Sequence, residues 1–197
     1  MKYYDFCSKG SSIILKSGKQ VTEHLSLSVV DIDTTFNSKH SAHCFSLEKF
    51  VIKEPIKIQA HYYMGEAETI EDDLVSAGNP QVVSEEFKKL VEELDPQAAQ
   101  FFETENTNCK TKKKYYVMHV TKAISCLDES RSKIFHPQPG SLLGRSIAVG
   151  MVDVRKISEN DHIFRLGENV QVHYISDKFY KEWKKRKLTG CLFNLRS

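Results

Sequence analysis

The sequence predicts an α+β protein that is mostly antiparallel sheet with a few packed helices and a β-rich N-terminal half. Three observations predict this class. The chain has 197 residues, of which 40% are hydrophobic and 27% charged, a composition typical of folded globular proteins. Segments within residues 1–63 alternate apolar with polar side chains, as a strand with one solvated face does. Apolar residues recur at helical spacing only in short stretches of the second half.

The strand pattern is clearest in two stretches near the N-terminus. Residues 26–32 and 56–62 alternate apolar with polar side chains. The stretch at 33–46 between them is polar, with scattered histidines and aromatic residues. It predicts a long connection or an irregular insertion.

A turn after the acidic residues of the first half predicts a subdomain boundary. Gly78 and Pro80 are residues that favour turns, and the patterning changes after them. We therefore expect a β-rich subdomain at 1–80 and an α+β domain at 81–197. The boundary is a soft one, and the two parts can still form one compact unit.

A helix is predicted at residues 85–94. Ser84 precedes it, and serine is a favoured N-capping residue. The apolar residues follow the i, i+3, i+4, i+7 spacing of a single helix face. These residues are Phe87, Leu90, Val91 and Leu94. The helix should end at Asp95 and Pro96, because the residue before a proline is disfavoured in the α region.

Further strands and a second helix complete the second half. Strands are predicted at 100–103, 115–123, 144–154, 162–166, 170–175 and 191–195. A helix at 177–187 should begin after the capping residue Ser176 and carry cations in its last turn, where the helix dipole favours them. Within it, Phe179 and Trp183 are four residues apart and should be buried together. We expect Gly190 to end this helix in a left-handed conformation.

Charge and cysteine usage exclude several classes of protein. A net charge of +2 is too small for a general nucleic-acid or membrane footprint. The longest apolar runs are far shorter than the roughly 20 residues that span a bilayer, and the N-terminus lacks the apolar run of a secretory signal. Five cysteines without a CxxC pair do not form the even framework of a secreted scaffold. We therefore expect a cytoplasmic protein with reduced, mostly buried thiols.

The sequence contains no complete catalytic, cofactor or metal motif. His40, His43, Cys44 and the distant His61 are metal-ligand types but lack the second paired module of a zinc finger. The stretch 140–146 has one residue too few between its glycines for a phosphate-binding loop. No hydrolase elbow, metalloprotease helix or dinucleotide turn occurs. The predictions are therefore no catalytic residue, no cofactor and no metal.

Two kinds of charged segment are candidate binding surfaces. An acidic segment carries five carboxylates and no basic residue, and it can either serve solubility or dock a basic partner. Its residues are Glu66, Glu68, Glu71, Asp72 and Asp73. The basic segments 110–116 and 181–187 contain aromatic residues and can contact phosphates, with Tyr115 or Tyr116 stacking on a base. These segments keep a nucleic-acid-binding or regulatory module open as an alternative.

Three blocks of the second half carry a family resemblance. The first block is Val82-Val83-Ser84 followed by Phe87, Leu90 and Leu94. The second is Tyr115 to Val120, followed by Cys126-Leu127-Asp128 and Ser130 to Ser132. The third is Ile163 to Leu166, Ile175-Ser176-Asp177, Leu188-Thr189-Gly190 and Leu192-Phe193. In order and spacing they resemble a bacterial immunity-protein family of polymorphic toxin systems, immunity family eleven, over about residues 82–197.

This resemblance implies a non-enzymatic protein that binds a cognate toxin delivered between competing bacteria and neutralises it sterically. It supplies no catalytic residues, and it leaves residues 1–80 without a known relative. The matched residues are largely apolar, capping and turn types, so Phe164 and Trp183 are expected in the core. On this interpretation, the acidic segment is our candidate toxin-binding site. An unrecognised enzyme is the remaining alternative.

Overall fold

A computed structural model of the chain describes residues 1–8, 11–15, 20–23, 26–32, 58–63, 67–75, 81–106, 111–135 and 146–197. Within these residues the predicted α+β class is confirmed, because mostly antiparallel sheets pack with helices. The predicted connection at 33–46 and the phosphate-loop-like stretch up to Gly144 lie outside the described residues. So do His40, His43 and Cys44 of the zinc hypothesis.

The strands and helices are numbered in chain order. The strands are β1 (Tyr3–Ser8), β2 (Ser11–Leu15), β3 (Gln20–Glu23), β4 (Ser26–Ile32), β5 (Ile58–Tyr63), β6 (Ala67–Ile70), β7 (Gln81–Ser84), β8 (Ala99–Asn106), β9 (Tyr115–Val120), β10 (Ala123–Ile124), β11 (Lys133–Phe135), β12 (Ser146–Val149), β13 (Ile163–Leu166), β14 (Asn169–Ser176) and β15 (Cys191–Leu195). The helices are α1 (Glu85–Leu94) and α2 (Asp177–Arg186), and Val154–Lys156 forms a short 3-10 turn.

The first five-stranded sheet has the order β10-β13-β14-β1-β15. Strand β1 is antiparallel to both β14 and β15, so these two strands run parallel to each other. Parallel strands need a crossover connection, and α2 supplies it by passing over β1. There the Tyr4 ring stacks on the Tyr180 ring, with centroids 4.7 Å apart.

The second five-stranded sheet has the order β4-β5-β8-β9-β7, with β5 and β8 parallel and the other pairs antiparallel. A three-stranded sheet, β3-β2-β6, and a two-stranded ribbon, β11-β12, complete the described strands. Both five-stranded sheets therefore combine strands from residues 1–80 with strands from residues 81–197. The division at residue 80 stays a prediction.

The hydrophobic core lies on the two faces of the first sheet. On one face Phe6 and Ile175 join residues of α1, α2 and the second sheet. On the opposite face Tyr3 and Tyr174 join a cluster that includes Phe164 and residues of the loops around Cys126 and Val152. Successive side chains of a strand point to opposite faces, which explains why neighbours in β1 and β14 divide between the clusters. The predicted core positions Phe164 and Trp183 are confirmed, since both are buried.

Both helices begin as predicted. The Ser84 hydroxyl accepts a hydrogen bond from the Phe87 N–H, and the Ser176 hydroxyl accepts one from the Phe179 N–H. Each serine thereby satisfies one of the first N–H groups, which have no partner inside a helix. Helix α1 ends at Leu94, and Asp95 is its C-cap, as the following proline predicts.

The end of α2 differs from the prediction. Lys187, and not Gly190, is the left-handed residue that ends the helix, with a φ of 57°. Gly190 also has a positive φ, 87°, but lies three residues later, where β15 begins. A Cβ at Gly190 would collide with the Leu74 carbonyl oxygen. The glycine is therefore required by a close approach of two chain segments and has no helix-ending role.

Two predicted strands are shorter than expected. The run 115–123 is interrupted after β9, because the Thr121 and Lys122 N–H groups donate to the Ala98 carbonyl outside a regular ladder. In the run 144–154, only β12 is a described strand, and Val154 begins the 3-10 turn. Asp153 caps this turn by accepting from the Arg155 N–H, which stops an extended conformation there.

Candidate partner-binding site

The acidic segment is divided between surface and interior. Glu71 is exposed, whereas Asp72 and Asp73 are buried, with 8% and 4% of their surface exposed. Glu68 lies in β6, and neither its side chain nor Glu66 is among the described parts. Of the three members whose side chains are described, only Glu71 presents a solvated carboxylate to a partner.

Asp73 joins three separate parts of the chain. Its Oδ1 accepts from the Ser84 hydroxyl at 2.7 Å and from the Lys113 ammonium at 2.9 Å. Its Oδ2 accepts from the Thr189 backbone N–H at 2.9 Å. The same carboxylate therefore links the N-cap of α1, the basic loop and the turn before β15. Because a buried carboxylate needs such partners to offset desolvation, Asp73 is a structural residue.

The backbone reinforces this junction. The Thr189 carbonyl accepts from the N–H groups of Asp73 and Leu74, each at 3.2 Å. The Tyr115 hydroxyl donates to the Asp72 carbonyl at 2.9 Å. The acidic segment is thus held against the turn that begins β15, and Gly190 makes the close packing possible.

The two basic segments meet at a single cleft. Lys112, Lys113 and Lys114 line one part of it, and Arg186 and Lys187 at the end of α2 line another. The cleft has a volume of about 550 Å³, and carboxylates also line it. These carboxylates are Asp73, Glu85 and Glu86. This convergence could not be predicted from local patterns, since the two segments are about seventy residues apart.

Several cations of the cleft are already neutralised. Lys113 pairs with Asp73, and Arg186 pairs with Glu93 of α1. The hydrogen bond from the Arg186 guanidinium lowers the pKa of Glu93, so this pair is charged at neutral pH. The cleft therefore has a mixed surface of cations and carboxylates and is not a continuous phosphate-binding track.

The aromatic residues of the basic segments lie in the interior. Tyr115 and Tyr116 have 1% and 7% of their surface exposed, and Trp183 is also buried. Stacking on a base requires an accessible ring face. The hypothesis that Tyr115 or Tyr116 stacks on a nucleic-acid base is therefore wrong.

A buried polar cluster lies between the two large sheets and was not predicted from the sequence. The Arg165 guanidinium donates to His119 Nδ1 at 2.8 Å, and His173 Nδ1 lies 3.5 Å from Gln81 Nε2. Burial lowers the pKa of Arg165 to about 10 and that of His173 to about 3, with the nearby Arg165 charge adding to the second effect. An arginine can only donate, so His119 accepts at Nδ1. The one available sequence signal is a charged residue inside the apolar strand β13.

A second, partly buried cluster holds one ammonium group between two carboxylates. Lys122 Nζ lies 2.7 Å from Asp95 Oδ2 and 2.9 Å from Asp161 Oδ1. Burial alone lowers the pKa of Lys122, but the hydrogen bonds to both aspartates outweigh it, and the net pKa is raised. This cluster fixes the connection between β9 and β10 to the end of α1, which is a structural role.

Within the described part of the chain, no group of three or more histidine, cysteine or acidic side chains is arranged to hold a metal ion. The described helices also include none with the length and apolar character needed to cross a membrane. The described cysteines are free thiols, of which Cys126 is buried, Cys191 is partly buried and Cys7 is exposed.

Comparison with known proteins identifies the family. Residues 20–195 match the model of the immunity protein family Imm11. No curated protein matches the chain. The match begins far upstream of residue 82, so the expectation that residues 1–80 fall outside the resemblance is wrong for residues 20–80. Because the match covers most of the residues of this chain, the chain belongs to the Imm11 immunity protein family.

Proposed function

We propose that this chain binds a cognate antibacterial toxin in the cytoplasm and neutralises it sterically. Membership of the Imm11 family is the observation that carries the proposal. An immunity protein needs no chemistry of its own, because covering the working surface of the toxin is sufficient. A complex of standard size, burying roughly 800 Å² on each partner, provides the affinity and the coverage this requires.

The proposed setting is competition between bacteria. The toxin is a polymorphic toxin delivered by a secretion system, and the immunity protein protects the cell that makes it. Many toxins that act on nucleic acids have a basic working surface, to which carboxylates bind in place of phosphates. We therefore propose that the exposed part of the acidic segment contacts the toxin.

The mixed charge of the cleft and the burial of Tyr115, Tyr116 and Trp183 weigh against the nucleic-acid alternative. Salt dependence separates the two functions. Binding to phosphates weakens steeply with increasing ionic strength, because counterions are released from the nucleic acid. A toxin complex with a buried apolar centre should persist at high salt.

The test is co-expression with the protein encoded by the adjacent reading frame. Bacteria that produce this toxin should survive only when the immunity protein is present, and the purified proteins should form a complex in titration calorimetry. Death of the co-expressing cells together with no measurable complex would contradict the proposal.

The acidic contact is tested separately by charge reversal. The variant Glu66→Lys, Glu68→Lys, Glu71→Lys should weaken the complex by roughly 10-fold or more if these carboxylates face a basic surface. The two aspartates are left unchanged, because Asp73 holds the fold together. Unchanged affinity would make the acidic contact wrong while leaving toxin binding intact.

A further inference from the structure

The strand β15 lies at one edge of the first sheet, and among the described strands only β1 pairs with it. The Arg196 N–H donates to the Tyr3 carbonyl at 2.8 Å on the β1 side. Backbone groups alternate in direction along an antiparallel strand. The backbone N–H and C=O groups of Leu192 and Asn194 therefore point toward β1. The same groups of Cys191, Phe193 and Leu195 point toward the outer edge.

The composition of β15 is unusual for an edge. Its five residues, Cys-Leu-Phe-Asn-Leu, include no charge, proline or glycine. Proteins commonly protect edge strands with lysine, proline or a bulge, because an unprotected edge accepts another strand. Leu192 and Leu195 are 47% and 48% exposed, and they lie on opposite faces of the strand. With respect to the strands that the structure describes, the edge thus offers unpaired backbone positions flanked by apolar side chains.

A rigid support lies behind this edge. The Phe193 ring contacts the rings of Tyr180 and Trp183 of α2, with centroids 5.1 and 5.6 Å apart. These edge-to-face contacts fix the strand in position before any partner arrives. A preformed edge loses little conformational entropy on binding, which favours strand addition.

Charge distinguishes the possible occupants of the edge. A second copy pairing through β15 around a two-fold axis would place its α2 beside the first α2, on the same side of the joined sheet. Helix α2 carries exposed cations, and the Lys184 ammonium lies 5.5 Å from the Tyr180 ring that contacts Phe193. The like charges of two such helices would repel. A different protein with carboxylates at this position fits better.

We propose that β15 accepts an extended strand of the toxin, whose apolar side chains contact Leu192 and Leu195 and whose carboxylate faces Lys184. This inference rests on the proposed function and names the surface that performs it. The edge continues from the Thr189 turn that holds the acidic segment, so one partner can contact both. Main-chain hydrogen bonds provide affinity in such a complex, and alternate side chains provide specificity.

Two edge variants and one matched control test the proposal. Leu192→Lys adds a charge to the exposed edge, and Leu195→Pro removes an outward N–H without touching the bonds to β1. Phe135→Lys is the control, because Phe135 is also exposed, at 56%, but lies in the β11-β12 ribbon. Binding to the inactivated, purified toxin of the adjacent reading frame is measured by calorimetry, and thermal unfolding confirms that each variant is folded.

We expect each edge variant to weaken toxin binding by roughly 10-fold or more, and the control to bind as the original chain does. Lys184→Glu should slow association, as changes of peripheral charge do. Hydrogen exchange on the unaltered chain gives an independent measure. Toxin should protect the amides of Phe193 and Leu195, whereas those of Leu192 and Asn194 are already protected by β1.

Three results would overturn the strand addition. If the edge variants bind toxin normally, and toxin does not change the amide hydrogen exchange of Phe193 and Leu195, the strand addition is wrong. The proposed function is not affected by this result. A chain that is dimeric alone in light scattering and becomes monomeric with Leu192→Lys assigns the edge to a second copy. No binding of toxin by the unaltered chain overturns both proposals.

Discussion

At the scale of single residues, Asp73 shows that a carboxylate within the acidic segment can stabilise the fold and need not face solvent. Its neighbours in sequence suggest a solvated surface, but its partners are Ser84, Lys113 and Thr189, which follow it in the chain by eleven residues or more. Local sequence patterns contain no information about such distant partners. The burial of Asp73 could therefore not be predicted from the charge pattern alone.

The first prediction concerns this carboxylate. Asp73→Ala removes the acceptor of the buried Ser84 hydroxyl and of two partly exposed donors, the Lys113 ammonium and the Thr189 N–H, so we expect a loss of roughly 1–3 kcal/mol in the free energy of unfolding. Glu71→Gln alters an exposed neighbour and should change stability by less than about 0.5 kcal/mol. Denaturant unfolding of both variants measures the difference. Equal stability of the two would contradict the structural role of Asp73.

The second prediction concerns pH and the buried His173. Burial, assisted by the nearby Arg165 charge, lowers the pKa of His173 to about 3, whereas the unfolded chain has the ordinary value of 6.5. Between these values the unfolded state binds more protons, so stability is highest above about pH 6.5 and falls as the pH decreases. The fall for this one residue approaches about 1.4 kcal/mol per pH unit.

Thermal unfolding at pH values from about 7 to about 5 tests this expectation, because carboxylates contribute little in that window. His173→Asn removes the titrating group and should make the dependence shallower. The other groups facing His173 are Arg165, which stays charged, and His119. An unchanged slope in the variant would assign the pH dependence to another histidine.

At the scale of elements, the helices were predictable and the strand pairings were not. A helix has local sequence signals, because a capping residue such as Ser84 or Ser176 and the spacing of apolar residues both lie within about ten residues. The partners of β1 are instead strands that follow it by more than 160 residues. Strand propensity does not specify a distant partner, so the order of the sheets could not be derived from the sequence.

The third prediction compares the two left-handed residues after α2. Gly190→Ala places a Cβ at a positive φ and against the Leu74 carbonyl, so we expect a loss of at least about 1–2 kcal/mol. Lys187→Gly should have the opposite effect and stabilise the chain by a few tenths of a kcal/mol to about 1 kcal/mol, since glycine adopts this conformation without strain.

The two substitutions lie at the same connection, and both are measured by denaturant unfolding. Opposite signs are expected because the Lys187 side chain is exposed and a glycine there relieves a left-handed conformation, whereas Gly190 is buried and a Cβ there would meet Leu74. A tolerated alanine at position 190 would show that the acidic segment can move away from the turn.

At the scale of the whole molecule, the fold depends on strand β1. This strand lies between β14 and β15 and contributes Tyr3 and Phe6 to opposite faces of the core. A sheet that loses an interior strand loses two hydrogen-bonded ladders at once. The predicted domain at 81–197 contains β14 and β15 but not the strand that joins them.

The fourth prediction follows from this dependence. A fragment of residues 81–197 should lack a cooperative thermal transition, and so should the chain without residues 1–8. The near-ultraviolet circular dichroism of the buried aromatic residues should be lost as well. A cooperative transition in the 81–197 fragment would instead support the division at residue 80.

The position of β1 also has a consequence for biosynthesis. This strand is translated before both of its neighbours in the sheet, which follow it by more than 160 residues. Until β14 and β15 have been translated, Tyr3 and Phe6 lack the neighbouring strands that cover them, and the nascent chain exposes them to chaperones or to other nascent chains. The production of this immunity protein is therefore expected to depend on protection of its first strand until β15 has been translated.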